Sequence, residues 1–172
     1  YGPGIYTYTI AGTAPCIDAS ATVTVTENTT PNAGPDASIT LCSDGAMVDL
    51  ASLLNGADPG GTWTAPGGTP QEPMLDPASA SNGTYLYTLS ATAPCIGDQA
   101  AINVTVNMPP DAGANAAISV CDEGPPTDLF AQLGPTADPG GTWTGPDGLP
   151  HSASYTPATD GPGIYTYTVF GT

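Results

Sequence analysis

Gly83-Thr84-Tyr85-Leu86-Tyr87-Thr88-Leu89 carries the clearest structural pattern in the chain. Alternation puts Tyr85, Tyr87 and Leu89 on one face and the threonines on the other. A period of two is the pattern of a half-buried strand. The stretch also recurs. Pro3-Gly4-Ile5-Tyr6-Thr7-Tyr8-Thr9 precedes it, and Pro162-Gly163-Ile164-Tyr165-Thr166-Tyr167-Thr168 follows it. Tyr6 to Tyr85 is 79 residues and Tyr85 to Tyr165 is 80. Cys16 to Cys95 and Cys42 to Cys121 are each 79. Ala57-Asp58-Pro59-Gly60-Gly61-Thr62-Trp63-Thr64 returns unchanged at 137–144, a shift of 80. So many matches at one period mark an internal repeat.

The other segments of a unit also read as strands. Ile102-Asn103-Val104-Thr105-Val106 alternates aliphatic with polar residues, and Val23 and Val25 alternate with Thr22, Thr24 and Thr26. Ile39-Thr40-Leu41, Thr62-Trp63-Thr64 and Met74-Leu75 are shorter candidates. Val48–Leu54 is ambiguous by spacing: it is read as strand then turn, with a short helix as the alternative. In Asp58-Pro59-Gly60-Gly61 the proline sets φ and the following glycine supplies positive φ, as a type II turn requires. Short strands divided by Gly/Pro turns indicate a β-sandwich. The joints are Thr29-Thr30-Pro31-Asn32-Ala33-Gly34 and Met108-Pro109-Pro110-Asp111-Ala112-Gly113. They divide the chain into residues 1–30, the closing strands of one unit; 31–109, a complete unit; and 110–172, a unit lacking its last strand. The fold class expected is all-β, as tandem immunoglobulin-like sandwiches.

Trp63 and Trp143 are expected to anchor the cores with Tyr85, Tyr87, Tyr165 and Tyr167. Burying about 200 Å² of indole is worth roughly 4–6 kcal/mol as an upper bound.

Charge excludes several classes of function. The 172 residues contain 16 Asp and Glu, one His and no Lys or Arg, for a formal charge of −16. Nothing neutralises phosphate, so a nucleic-acid partner is excluded, as is attraction to anionic lipid. No apolar run is long enough to span a membrane as a helix, so no membrane insertion is expected. Each carboxylate must be solvated, hydrogen-bonded or bound to a cation. Calcium is the one cofactor this composition suggests, with Asp36, Asp111, Asp122 and Glu123 as candidate ligands and Asp44 beside them. No Asp-x-Asp-x-Asp loop is present. Enzyme chemistry is not expected. His151 stands alone in a Pro/Ser-rich loop, and no motif joins Ser, His and Asp. The start at Tyr1, without Met or leader, suggests a piece of a longer or processed chain.

Pro31-Asn32-Ala33-Gly34 with Asp36, Cys42, Gly60-Gly61-Thr62-Trp63, Gly83-x-Tyr85-x-Tyr87-Thr88, Ala93-Pro94-Cys95 and Ile102-x-Val104-x-Val106 occur in that order. The set resembles the Ig-like/PKD-like repeats, about 80 residues long, of large secreted surface proteins of Bacteroidetes. The resemblance implies an extracellular, cell-surface, multi-repeat stalk, adhesin or fibre with no catalytic residues. Gly163-x-Tyr165-x-Tyr167 also looks like the tyrosine corner of Ig domains, with Tyr167 where the core cysteine would stand.

Four cysteines allow three pairings. Cys42 with Cys95 is the expected disulfide, because each full unit then owns one bridge. Cys16 and Cys121 would find partners outside the segment. In a standard Ig topology, however, positions 42 and 95 lie at opposite ends, and a cysteine of a neighbouring unit or protomer is then the alternative partner for Cys42. The function expected is a structural repeat segment of an extracellular fibre or stalk. Its partners are neighbouring repeats or copies of itself, joined in one version by strand complementation. The alternative is an adhesin-type module binding carbohydrate or protein.

Overall fold

The structure, a computed structural model, describes residues 1–171. Thr172, at the end of the third expected unit, lies outside the described residues. The protein is all-β. Among the described residues the strands form five sheets, and the helical content is two 3₁₀ turns. The chain divides into two compact units, Tyr1–Asn107 and Met108–Thr172.

In the first unit, β1 (Gly4–Ile10) and β2 (Ala19–Val25) form an antiparallel hairpin, registered from Gly4 opposite Val25 to Ile10 opposite Ala19. Its apolar side chains Ile5, Tyr8, Ile10 and Val23 are exposed. There follow β3 (Ala37–Cys42), β4 (Val48–Asp49), a 3₁₀ turn (Leu50–Leu53), β5 (Thr62–Thr64) and β6 (Pro70–Gln71). β7 (Met74–Leu75), β8 (Gly83–Leu89) and β9 (Asp98–Asn107) complete the unit. Five of these strands make one sheet in the order β3-β9-β8-β5-β6. β3 runs parallel to β9, and the other pairs are antiparallel. β4 and β7 pair separately.

Alternation decides which faces are buried. β8 buries Tyr85, Tyr87 and Leu89, and β9 buries Ala100, Ile102 and Val104. Trp63 joins them, its ring centroid 4.9 Å from that of Tyr87. Leu75 of β7 and Leu50 and Leu54 from the 3₁₀ segment share this core. The Asp49 carboxylate caps that turn by accepting the Ala51 amide at 3.0 Å, the usual work of Asp ahead of a helical turn. Gly61 is required by packing, since a Cβ there would meet the Tyr87 ring at 2.5 Å and the Thr88 carbonyl oxygen at 2.7 Å.

The second unit contains β10 (Thr127–Asp128), a 3₁₀ turn (Phe130–Leu133), β11 (Thr142–Thr144), β12 (Pro150–His151), β13 (Ser154–Tyr155) and β14 (Thr166–Thr168). β11 lies between β12 and β14, and β10 pairs β13. Leu129, Trp143 and Tyr155 form a smaller core, with Tyr165 and Tyr167 only partly buried against it. Residues 116–121 form no strand, and Ile118 and Val120 are 41% and 42% exposed. Their counterparts form β3, which among the described residues pairs with β9 alone.

The expected Cys42–Cys95 disulfide is absent, and all four cysteines are free thiols. Parallel pairing explains this. Cys42 sits opposite Asn107, at the far end of β9, whereas Cys95 precedes the start of β9 at Asp98. Nine residue steps along the strand separate the two by about 30 Å, far beyond the reach of a disulfide.

Candidate functional site

Each joint is held by a set of polar contacts to backbone. At the first, Asn32 and Asp58 exchange three kinds of group. The Asn32 amide donates to the Asp58 carboxylate at 2.8 Å, and the Asp58 amide donates to the Asn32 carbonyl at 2.8 Å. The Asn32 side chain donates to the Gly56 carbonyl at 3.1 Å and accepts the Gly34 amide at 3.0 Å. The Ala33 amide donates to Asp98 at 2.8 Å, and Ala33 is fully buried. The Asp36 carboxylate accepts the Ala101 amide at 2.7 Å. Gly34 has φ +83, and a Cβ there would lie 3.3 Å from Leu54 and Ala57.

The second joint repeats this clamp. The Asp111 amide donates to the Asp138 carboxylate at 2.9 Å, and the Asp138 amide donates to the Asp111 carbonyl at 2.8 Å. Asp111 takes the place of Asn32, and its carboxylate accepts the Gly113 amide at 2.7 Å. Either side chain closes an Asx turn, so the exchange preserves the geometry.

Tyrosine hydroxyls carry the same framework into each core. Tyr87 donates to the Asp58 carbonyl at 2.7 Å and accepts the Gly61 amide at 2.9 Å. Tyr167 does the same with Asp138 at 2.7 Å and Gly141 at 2.8 Å. A second tyrosine in each copy of the motif reaches back four residues. Tyr85 donates to the Ser81 carbonyl, Tyr165 to Gly161 and Tyr6 to Gly2.

The acidic charge is largely committed to backbone. Among the described residues at least twelve of the 16 carboxylates accept a main-chain N–H. Such charge-assisted bonds are stronger than neutral ones, which is how a chain without Lys or Arg uses its acids. The calcium candidates are not brought together: Asp36 and Asp111 serve separate joints, and Asp122 accepts the Glu123 amide beside it. Among the described residues no group of three or more His, Cys, Asp or Glu is placed to hold a metal.

Cys95 stands at a joint as well. The Asn28 side chain donates to the Ala93 carbonyl at 3.0 Å, and the Cys95 thiol donates to the Asn28 carbonyl at 3.3 Å. At the other end of the unit, the Ser43 amide next to Cys42 donates to the Asn107 carbonyl at 2.9 Å. Cys42 is exposed, and its hydrogen bond with Asp44 holds the thiol above its ordinary pKa.

His151 is particular to the second unit; the matching position in the first is Gln71. Its Nε2 lies 3.3 Å from Asp160, and its ring meets Tyr165 edge-on at 4.7 Å. Beside it an open depression of about 570 Å³ is lined in part by Trp143, Tyr167, Phe130 and Asp128. Among the described residues no helix is long and apolar enough to cross a membrane.

Spacing alone concealed the roles of Asn28, Asp58, Asp98 and Asp138. Asp58 and Asp138 lie inside the repeated octapeptide, where the turn accounted for them. No protein-family model matches the chain, and no curated protein sequence matches it.

Proposed function

We propose that the chain is a structural segment of an extracellular fibre or surface stalk, built from serial Ig-like sandwiches that neighbouring repeats or further copies extend. The observation that carries this is the recurrence of one hydrogen-bonded framework at the repeat period. Asn32–Asp58–Tyr87 and Asp111–Asp138–Tyr167 have the same partners at nearly the same distances. Two features support a sandwich of Ig type. Leu50 and Leu75 share a core with the five-stranded sheet, and a tyrosine hydroxyl reaches back four residues in each copy, as at a tyrosine corner. The resemblance to Bacteroidetes surface repeats belongs to the same proposal, as does the extracellular location. Strand complementation between protomers is supported by the exposed β1–β2 hairpin and by the strandless 116–121 segment of the second unit.

Pulling single molecules of the native protein in reducing buffer tests the proposal. Each repeat of 79 residues unfolds from about 33 Å to about 270 Å. The expected trace is a sawtooth with steps of about 240 Å. One large step, or none, contradicts serial domains. The adhesin alternative draws on the aromatic depression beside His151. It requires a glycan or protein ligand whose binding His151→Ala abolishes.

A further inference from the structure

All four cysteines are free, yet two of them flank the same position of the repeat. Asn28 and Asn107 are equivalent, being 79 residues apart in register with the Cys16–Cys95 match. The Asn107 carbonyl accepts the amide of Ser43, the residue after Cys42. The Asn28 carbonyl accepts the thiol of Cys95, which belongs to the repeat that follows it. A carbonyl oxygen has two lone pairs and accepts both donors. Superposing the two asparagines therefore brings the Cys42 position of one repeat to the Cys95 position of the next. The sum of the two bond lengths, 2.9 Å and 3.3 Å, caps the distance from the Cys95 sulfur to the amide after the other cysteine at about 6 Å. That bound puts the two cysteines in the same neighbourhood, and a disulfide between them then requires Cα atoms about 4.4–6.8 Å apart.

We infer that the cysteines form disulfides across the joints, each Cys95 position pairing with the Cys42 position of the preceding repeat. The inference rests on the tandem-array proposal. It accounts for the four free thiols, because every partner then lies in a repeat that this segment does not contain in full. Cys95 needs the preceding repeat's first cysteine, which would stand ahead of Tyr1. Cys42 and Cys121 occupy the same Cys-x-x-Gly turn, closed by the Gly45 amide at 2.9 Å and the Gly124 amide at 3.0 Å. Cys16 and Cys95 likewise share a turn, from Thr13 and Thr92. Each repeat thus contributes one cysteine to each neighbour, and the array becomes a covalent ladder that carries tension past an unfolded domain.

The bond needs an oxidant of the disulfide class, such as oxidised glutathione. One protein thiolate attacks the oxidant's S–S bond and releases one thiol. The second protein thiolate then displaces the other. One S–S bond breaks and one forms, and the two protein protons leave on the two released thiols.

The test is the 172-residue chain with residues 110–159 repeated ahead of Tyr1. Residues 160–172 repeat 1–13 almost unchanged, so this addition completes the preceding repeat. The extended chain is oxidised with glutathione disulfide and digested without reduction. An Asp-directed protease is used, since trypsin has no site. The expected product is one peptide pair joining the added copy of Cys121 to Cys95, with loss of Cys95 alkylation and return of both peptides on reduction. Hydrogen exchange on β1 and β2 is read in parallel. Slowed exchange there with Cys95 still alkylated overturns the disulfide while leaving the array intact. A Cys42–Cys95 pair also overturns it. Unchanged exchange with no cross-link overturns both the disulfide and the array.

Discussion

Replacing Tyr87 by Phe isolates the bond that ties the strand core to the joint. The ring stays, so packing against Trp63 at 4.9 Å is retained. What is lost is the hydroxyl, which donates to the Asp58 carbonyl at 2.7 Å and accepts the Gly61 amide at 2.9 Å. Tyr87 is only 6% exposed, so water does not readily replace either partner. Each hydrogen bond is worth about 1 kcal/mol net, which gives a loss of about 2 kcal/mol. For a repeat of this size that lowers the melting temperature by about 10 °C. Urea unfolding followed by tryptophan fluorescence measures it, in a Trp143→Phe background so that only Trp63 reports. Tyr167→Phe, made where the ring is half-buried, costs less despite identical partners. A loss below about 0.5 kcal/mol for Tyr87→Phe, the range of a neutral surface change, refutes the claim that this hydroxyl holds the joint.

Further outcomes follow from the unpaired strand and the acids. A synthetic peptide of residues 98–107 is expected to slow hydrogen exchange at 116–121, supplying the partner that β3 finds in β9; unchanged exchange contradicts the pairing. The Thr156 amide at 2.6 Å, assisted by His151, holds the Asp160 carboxyl below its ordinary pKa. Its folded pKa is depressed, so its stabilisation is present above about pH 3.9 and lost as pH falls through the folded value. Urea midpoints of the second unit, read from Trp143, should therefore fall less steeply in acid for Asp160→Asn than for the parent. Because its hydrogen bond with Asp44 raises the Cys42 pKa, Asp44→Asn should speed alkylation of Cys42 at pH 8. The rate is measured in a C16S/C95S/C121S background, and an equal or slower rate would refute the effect.

Strands were legible in the sequence wherever they carried their own period. β8 and β9 show it, since Tyr85–Leu89 and Ile102–Val106 alternate regardless of their neighbours. Residues 116–121 show the limit. Ile118 and Val120 alternate as Ile39 and Leu41 do, but among the described residues no counterpart of β9 gives them a ladder, and they remain exposed. Pairing direction was not legible either. The parallel β3–β9 ladder, not the cysteine spacing, separates Cys42 from Cys95. The joint was hidden for a related reason: its bonds join residues about 26 and 65 positions apart, and no local pattern announces them. The excess of acid was visible at once, whereas its use as a set of backbone acceptors required the fold.

The serial array is tested most directly by electron microscopy of the native material. Ten residues of β9 span about 33 Å, which sets the length of one repeat. The expected image is a beaded fibre with an axial spacing of about 30–40 Å. Discrete particles with no axial repeat would contradict it.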